Sequence, residues 1–394
     1  MAVAPMVAES SRLRVSPRID GKIEAEEWDL LTASSTTQTY FQWEPERLHF
    51  AATVANGQDM LVSLDLRKNG WLVGKDNVEI RVSLRDGKPT FTARLLDATN
   101  LSGPVWQDLP ELMAGTQVAA TSDAGTTTYE ATLTDPGTDI VTTNLGQQIG
   151  LRIDSVPTDS PALPAVMPRA MSLVTLTDSR SAALPTGLSW NTEFGEIPIV
   201  PGESGRVRLT FNGKNDLKIS RLEMRSEGFA RDATNLFAVP FPAFDRKGRA
   251  YVDYGTRISP DALLGYRILR GTLTTSDGVP AVLQTSYRIA PIVDVDVVHT
   301  AIPVSATDRG YKLPFYITAN SRGRVSGTVA IKLPEGFRVL NDGIKKFSIF
   351  GVRGKTRQTF EIYIPAGKSG TFTAQFVFVI NGQPVSQSVL FTIK

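Results

Sequence analysis

The sequence contains no cysteine and only two histidines, His49 and His299. The first absence excludes disulfides, thiolate zinc sites, iron–sulfur clusters and cysteine nucleophiles together. The second leaves no His-rich metal centre, and neither histidine stands in a motif that would make it the base of a Ser-His-Asp relay. Each reads as an ordinary strand or loop residue. No run approaches the ~20 apolar residues that span a bilayer as a helix. The opening MAVAPMVAESS lacks a basic n-region and a proper apolar h-region; its small residues before Glu9 fit the stump of a removed leader and a frayed terminus equally well. An excess of either charge is missing too. Lys+Arg number 42 against 40 Asp+Glu, a formal net charge of +2, which excludes nonspecific attraction to nucleic acid or anionic membrane as the main business.

Motifs of chemistry are absent as well. There is no G-x-G-x-x-G, P-loop, H-E-x-x-H, G-x-S-x-G or EF-hand loop. The acids of Asp135–Asp139 lack calcium-loop spacing, and no carboxylate pair stands apart as a glycosidase pair. Met60, Met167, Met171 and His49 read as core or strand residues rather than haem ligands. The basic spots Arg12–Arg18 and Arg353–Arg357 have no aromatic platforms beside them, against nucleic-acid binding. The expectation is a chain without catalytic residues, metal or cofactor.

What is present is β-grammar. Asn69–Arg85 (NGWLVGKDNVEIRVSLR) opens with Trp71, passes the turn Asp76-Asn77, and becomes an alternator. Val78, Ile80, Val82 and Leu84 point one way, and Glu79, Arg81 and Ser83 the other, the signature of a half-buried strand. Trp71 admits two readings: part of a ligand face beside Glu79 and Arg81, or a cap on a sandwich core. Further strand-like runs are Thr37–Trp43, His49–Val54, Met60–Leu66, Thr90–Leu96, Gln117–Thr121, Thr127–Leu133, Gln148–Ile153 and Ala170–Leu176. Short strands at regular spacing without long helical patterns predict a sandwich. Around Glu24, Glu26 and Glu27 the stretch Ile19–Leu31 predicts one short helical turn after the Asp20-Gly21 turn.

The opening Pro17, Ile19, Asp20, Gly21, Ile23 and Trp28, the central Asp76, Val78, Glu79 and Ile80, and a late strand entering Asp154 together resemble family 9 carbohydrate-binding modules and related DOMON-like sandwiches. The resemblance covers about Arg12–Asp178, under half the chain. It implies a β-sandwich and, in sugar-binding members, a slot where aromatic rings stack on a sugar with carboxylate, amide and Arg partners. On that pattern Trp71 is the stacking aromatic and Asp76 and Glu79 are the motif carboxylates, with turn capping and a solvated strand face as their alternative roles. Arg94 and Asn100 are further polar contacts that no motif fixes. Trp43 and Trp106, both read as lying in Pro-containing loops, are candidates for a second ring. The late loop Val156–Pro168 departs from the pattern, because it is Pro-rich and carries no aromatic.

At 394 residues the chain exceeds one hydrophobic core. Thr177–Pro185 reads as a linker, and Pro291 marks a second boundary. The expectation is all-β: three β-sandwich domains in series, a jelly-roll or DOMON-like sandwich over 10–180 and two immunoglobulin-like sandwiches over 181–290 and 291–394. Asn381-Gly382 is the strongest hairpin signal. Phe237–Phe244 (FAVPFPAF) cannot be a central strand; it reads as a covered loop packing one domain on another, or as an exposed adhesive patch. The functional expectation is noncatalytic glycan or polysaccharide recognition by an exported or cell-surface bacterial protein, monomeric, without nucleic-acid binding or membrane insertion. The alternatives are a structural subunit of a surface layer or extracellular assembly, and a fragment of a glycosidase cut from its catalytic module.

Overall fold

The computed structural model describes residues 8–12, 16–24, 27–113, 116–134, 141, 143–160, 169–177, 181–192, 198–214, 217–227, 236–275 and 280–393. Several sequence readings therefore lie outside the described residues: Glu26, the Asp135–Asp139 loop, and most of the Pro-rich loop with Met167. Among the described residues, helix is limited to Pro110–Met113 and the 3-10 turn Val304–Ala306. The chain is all-β, and its strands form three successive pairs of sheets.

The first pair holds twelve strands: β1 (Ala8–Arg12), β2 (Leu30–Ala33), β3 (Gln38–Glu44), β4 (Arg47–Ala55), β5 (Gln58–Asp65), β6 (Asn77–Arg85), β7 (Lys88–Asp97), β8 (Val105–Asp108), β9 (Gln117–Ser122), β10 (Thr126–Thr134), β11 (Gln148–Pro157) and β12 (Ser172–Thr177). One sheet runs β1-β12-β11-β5-β6-β7-β8, the other β2-β3-β4-β10-β9. Period-two alternation decides what lies between them. Phe41, Trp43, Leu48 and Phe50 face Val62, Leu64, Val78, Ile80 and Val82 across one apolar core. The partners of opposite parity on β5, β6 and β7 are thereby forced onto the outer face, and that face carries the polar residues of interest.

Nine of the twelve strands coincide with runs legible in the sequence. The helical turn expected within Ile19–Leu31 is centred on residues outside the described ones, and a hydrogen bond from Glu27 N to Glu24 O (3.0 Å) closes a single turn across them. Gly21 turns the chain at φ +85°, and Leu30 already begins β2. The motif in this segment has a fastening role. Glu130, fully buried mid-β10, accepts hydrogen bonds from the backbone N–H of Asp20 (2.8 Å) and Gly21 (2.5 Å) and from Trp28 Nε1 (3.0 Å). A Cβ on Gly21 would sit 2.4 Å from Thr121 Oγ1, so the close approach also needs glycine.

The second pair comprises Ser189–Thr192, Ser204–Asn212 and Arg249–Arg257 against Ser181–Ala183, Pro280–Ile289, Gly265–Thr275, Ile219–Glu227 and Leu236–Pro240. Part of the expected linker is thus an edge strand, Ser181–Ala183. FAVPFPAF is likewise half strand: Leu236–Pro240 occupies a sheet edge, where proline costs no ladder bond. Its phenylalanines pack on their own sandwich rather than across domains. Phe241 lies 5.1 Å from Phe211 and 5.6 Å from Phe244, and Phe237 lies 5.6 Å from Tyr254. The third pair, within Val293–Ile393, has its own phenylalanine-rich core. Its hairpin turns at Asn381 and Gly382, both at positive φ (51° and 80°), the geometry that an Asn-Gly turn supplies. Among the described residues the first two pairs touch where Tyr266 N donates to Ser16 Oγ (2.9 Å), Ser16 N donates to Tyr266 O (3.2 Å), and the Tyr266 ring packs onto the first core.

Candidate functional site

The site lies on the outer face of the seven-stranded sheet. Register places Ser63 on β5 beside Glu79 on β6, and Glu79 beside Arg94 on β7; Leu96 pairs with Trp106 on β8. The β5–β6 connection delivers Trp71 to the same face. That connection is a tight loop wound around two carboxylates. Asp65 accepts from Asn69 N (3.2 Å) and Gly70 N (2.7 Å), and Asp76 accepts from Arg67 N (3.1 Å) and Asn69 Nδ2 (3.2 Å). Four of its residues, Lys68, Gly70, Leu72 and Gly74, have positive φ, and a Cβ on Gly74 would meet Asp76 Oδ1 at 2.6 Å. Burial, with Asp65 alongside, pushes the Asp76 carboxyl above its usual range.

Trp71 is 9% exposed and packs with Leu96 and Met171 in a satellite cluster outside the main core. Its ring centroid lies 6.0 Å from that of Trp106, tilted by 50°. Glu79, buried, binds two guanidiniums: Arg94 Nε donates to Oε1 (2.6 Å) and Arg169 Nη2 to Oε2 (2.6 Å). Arg169 also donates through Nη1 to Ser63 Oγ (2.5 Å). Its guanidinium carbon stands 4.3 Å above the Trp71 ring and 6.0 Å from that of Trp106, while Arg94 stacks on Trp106 at 4.0 Å. Burial, then the neighbouring Arg94, lowers the Arg169 pKa below the ordinary arginine value, against the pull of Glu79. Three buried N–H groups in this cluster have no hydrogen-bond partner: Trp71 Nε1, Trp106 Nε1 and Arg169 Nε.

The structure therefore brings together four of the seven candidate residues: Trp71, Glu79, Arg94 and Trp106. It separates the other three. Asp76 caps the β5–β6 loop. Asn100 is exposed and accepts from Ser102 N (2.9 Å) in a local turn. Trp43 is a core residue on β3 rather than a loop aromatic, 3% exposed, with Nε1 donating to Thr177 O (3.0 Å). Trp106 is also on a strand, the short edge β8, just after Pro104. A slot holding a sugar between two rings needs ~3.5–4 Å on each side, hence centroids about 7–8 Å apart. At 6.0 Å and 50° the rings touch, and Arg169 fills the space above Trp71.

Sequence reasoning missed Arg169, Ser63 and the Asp59–Arg81 pair. Asp59, fully buried, accepts from Arg81 Nε (2.7 Å) and Ser83 Oγ (2.6 Å). Arg81 in turn holds the carbonyls of Pro157, Thr158 and Ser160 at 2.9–3.0 Å. The signal for the Arg81 role was its place on the outer parity of the central alternator. Arg169 follows a proline-rich stretch and belongs to no periodic run.

No protein-family model matches the chain, and no curated protein matches it. Structural likenesses are weak. The red sea bream transglutaminase is 12% identical, over 54% of this chain and 32% of that one, with a TM-score of 0.26. Escherichia coli alpha-2-macroglobulin activated by porcine elastase is 9% identical over 98% and 45%, also at 0.26. The fibronectin(III)-like modules of Clostridium thermocellum CbhA are 12% identical over 52% and 94%, at 0.18. This chain spans under half the length of the first two. Scores this low carry no argument about function.

Proposed function

We propose that the chain is a noncatalytic recognition protein of an exported or cell-surface bacterial kind, whose first sandwich binds glycan on the outer face of its seven-stranded sheet. One observation carries the reading: the unpartnered N–H groups of Trp71, Trp106 and Arg169 converge on one aromatic and arginine cluster. A buried donor left unmade costs about 1–3 kcal/mol, and an oxygen-rich ligand that stacks on indole supplies acceptors for all three. The resemblance to family 9 carbohydrate-binding modules points the same way, through Trp71, Glu79 and the Asp20-Gly21 segment. Since the two rings touch, the reading requires Arg169 to move off Trp71 or the ligand to approach the open edge of Trp106. A glycan array probed with the intact chain tests it. Binding that Trp106→Ala weakens is the expected result, and no binding to any glycan defeats it.

A second reading is favoured by the same filled slot. If Arg169 is a permanent wedge, the first sandwich has no ligand and the chain is a building block of a surface layer or extracellular assembly. Light scattering on the purified protein separates the two, since the recognition reading expects a monomer at micromolar concentration.

A further inference from the structure

A second surface, unrelated to the tryptophan cluster, is written on the three-stranded sheet of the second sandwich. Leu209, Phe211, Val252 and Tyr254 face its core, so the opposite parity of Ser204–Asn212 and Arg249–Arg257 faces solvent. That parity carries Arg206, Arg208, Arg249 and Arg257, with Tyr251 between them. The side chains of Arg206 and Arg208 are 70% and 57% exposed, and Tyr251 is 40% exposed. Arg208 and Arg249 lie 5.6 and 5.7 Å from the tyrosine ring. Arg322, from the third pair of sheets, reaches the same patch and donates to the Arg206 carbonyl.

Four arginines here meet two bonded aspartates. Asp253 accepts from Arg206 (2.7 Å) and Arg208 (3.0 Å), and Asp245 pairs with Arg249 (3.3 Å). Among the described residues this parity therefore carries a positive excess, on a chain that is nearly neutral overall. No described atom lies within 4 Å of where a Cβ on Gly255, beside Arg206, would stand. From Arg249 to Arg257 the strand runs about 27 Å, long enough for several sugar rings. No aliphatic side chain lies on this parity of the two strands, while the exposed amides of Asn191 and Asn212 border it.

We propose that this face docks an acidic polysaccharide, its carboxylates or sulfates on the arginines and its hydroxyls on Asp253 and the bordering amides. Asp253, in the middle of the patch, accepts hydrogen bonds from Arg206 and Arg208 and has lone pairs left for sugar hydroxyls, donors that a phosphodiester backbone does not offer. Single-stranded nucleic acid also needs successive aromatic platforms, and the patch has one ring, already flanked by guanidiniums.

Affinity electrophoresis of the intact protein tests this, in gels containing polygalacturonate (carboxylated), heparin (sulfated) or neutral dextran. Retardation by at least one acidic polymer and not by dextran is expected. The R206Q/R208Q/R257Q variant, whose changes are all exposed, keeps the same far-UV spectrum and melting temperature but binds the acidic polymer about tenfold more weakly. Absence of retardation by both acidic polymers overturns the proposal, as does equal retardation of the variant. Tighter binding of single-stranded oligothymidylate than of either polysaccharide overturns it in favour of nucleic acid.

Discussion

Replacing Glu79 by glutamine is expected to destabilise the first sandwich by about 3 kcal/mol. Glu79 accepts hydrogen bonds from both Arg94 and Arg169, and its side chain and that of Arg169 are 3% and 2% exposed. At a charge separation of about 4 Å and an effective dielectric near 20, each attraction is worth about 4 kcal/mol. Desolvation of three ions offsets much of that, so the intact triad contributes little net stability. Deleting only the central charge is another matter, because it leaves the buried Arg169 guanidinium facing Arg94 across a neutral amide. Losses of about 3–5 kcal/mol follow from breaking such pairs, and the partial exposure of Arg94 places this one at the lower end. In thermal unfolding this corresponds to a fall of about 6–12 °C in the transition of the first sandwich. The companion variant E79L/R169M removes both charges while keeping volume, and is expected to recover to within about 1 kcal/mol of the parent. An E79Q protein that melts with the parent, or an E79L/R169M protein worse than E79Q, would show that Glu79 does not hold the two guanidiniums in place.

Other outcomes follow from the same geometry. Burial pushes Glu130 up to about 7 although three N–H donors favour its ionised form. The folded carboxyl then holds a proton that the unfolded chain releases near 4.5, so stability falls by about 3 kcal/mol as pH rises from 4.5 to 7, and Glu130→Gln flattens that slope in urea titrations. Glu44 behaves oppositely. Burial alone would raise it, but His49, Arg47 and Ser16 overcome burial and hold it at about 2, so its contribution is present above pH 4.5 and is lost as pH falls toward 2. Phe241→Ala is expected to cost the second sandwich about 3 kcal/mol through the cavity left against Phe211 and Phe244; a monomeric variant of parental stability would contradict that packing. Trp71→Ala is expected to lose stability as well as ligand, since the ring is buried against Leu96 and Met171, whereas Trp106→Ala, on an edge strand, reports mainly on binding.

The strands were legible wherever a run alternated against a core. Val78, Ile80 and Val82 announce β6. The strands β1, β2 and β8 were not, because edge strands of four or five residues show too few alternations to stand out. Trp43 illustrates a misread that parity could have prevented: it shares the period of Phe41, hence the core face, while Gln42 and Glu44 take the other. Of the candidate site, Trp71, Glu79, Arg94 and Trp106 follow from strand register around one alternator. Arg169 could not, because its contact with Glu79 spans 90 residues and no local pattern encodes it. Asp76 stood between turn capping and ligand binding in the sequence, because an Asp that caps a tight loop and an Asp that binds a ligand look alike until the donors around it are seen.

The unpartnered indole donors of Trp71 and Trp106 can be watched directly. The chain has five tryptophans, and the N–H groups of Trp28 and Trp43 are already bonded to Glu130 and to the Thr177 carbonyl. In an indole ¹⁵N–¹H spectrum of the intact protein, assigned by single Trp→Phe variants, titration with an array-selected glycan is predicted to shift the resonances of Trp71 and Trp106 and leave those of Trp28 and Trp43 in place. A spectrum in which neither Trp71 nor Trp106 moves at saturating glycan would contradict the account.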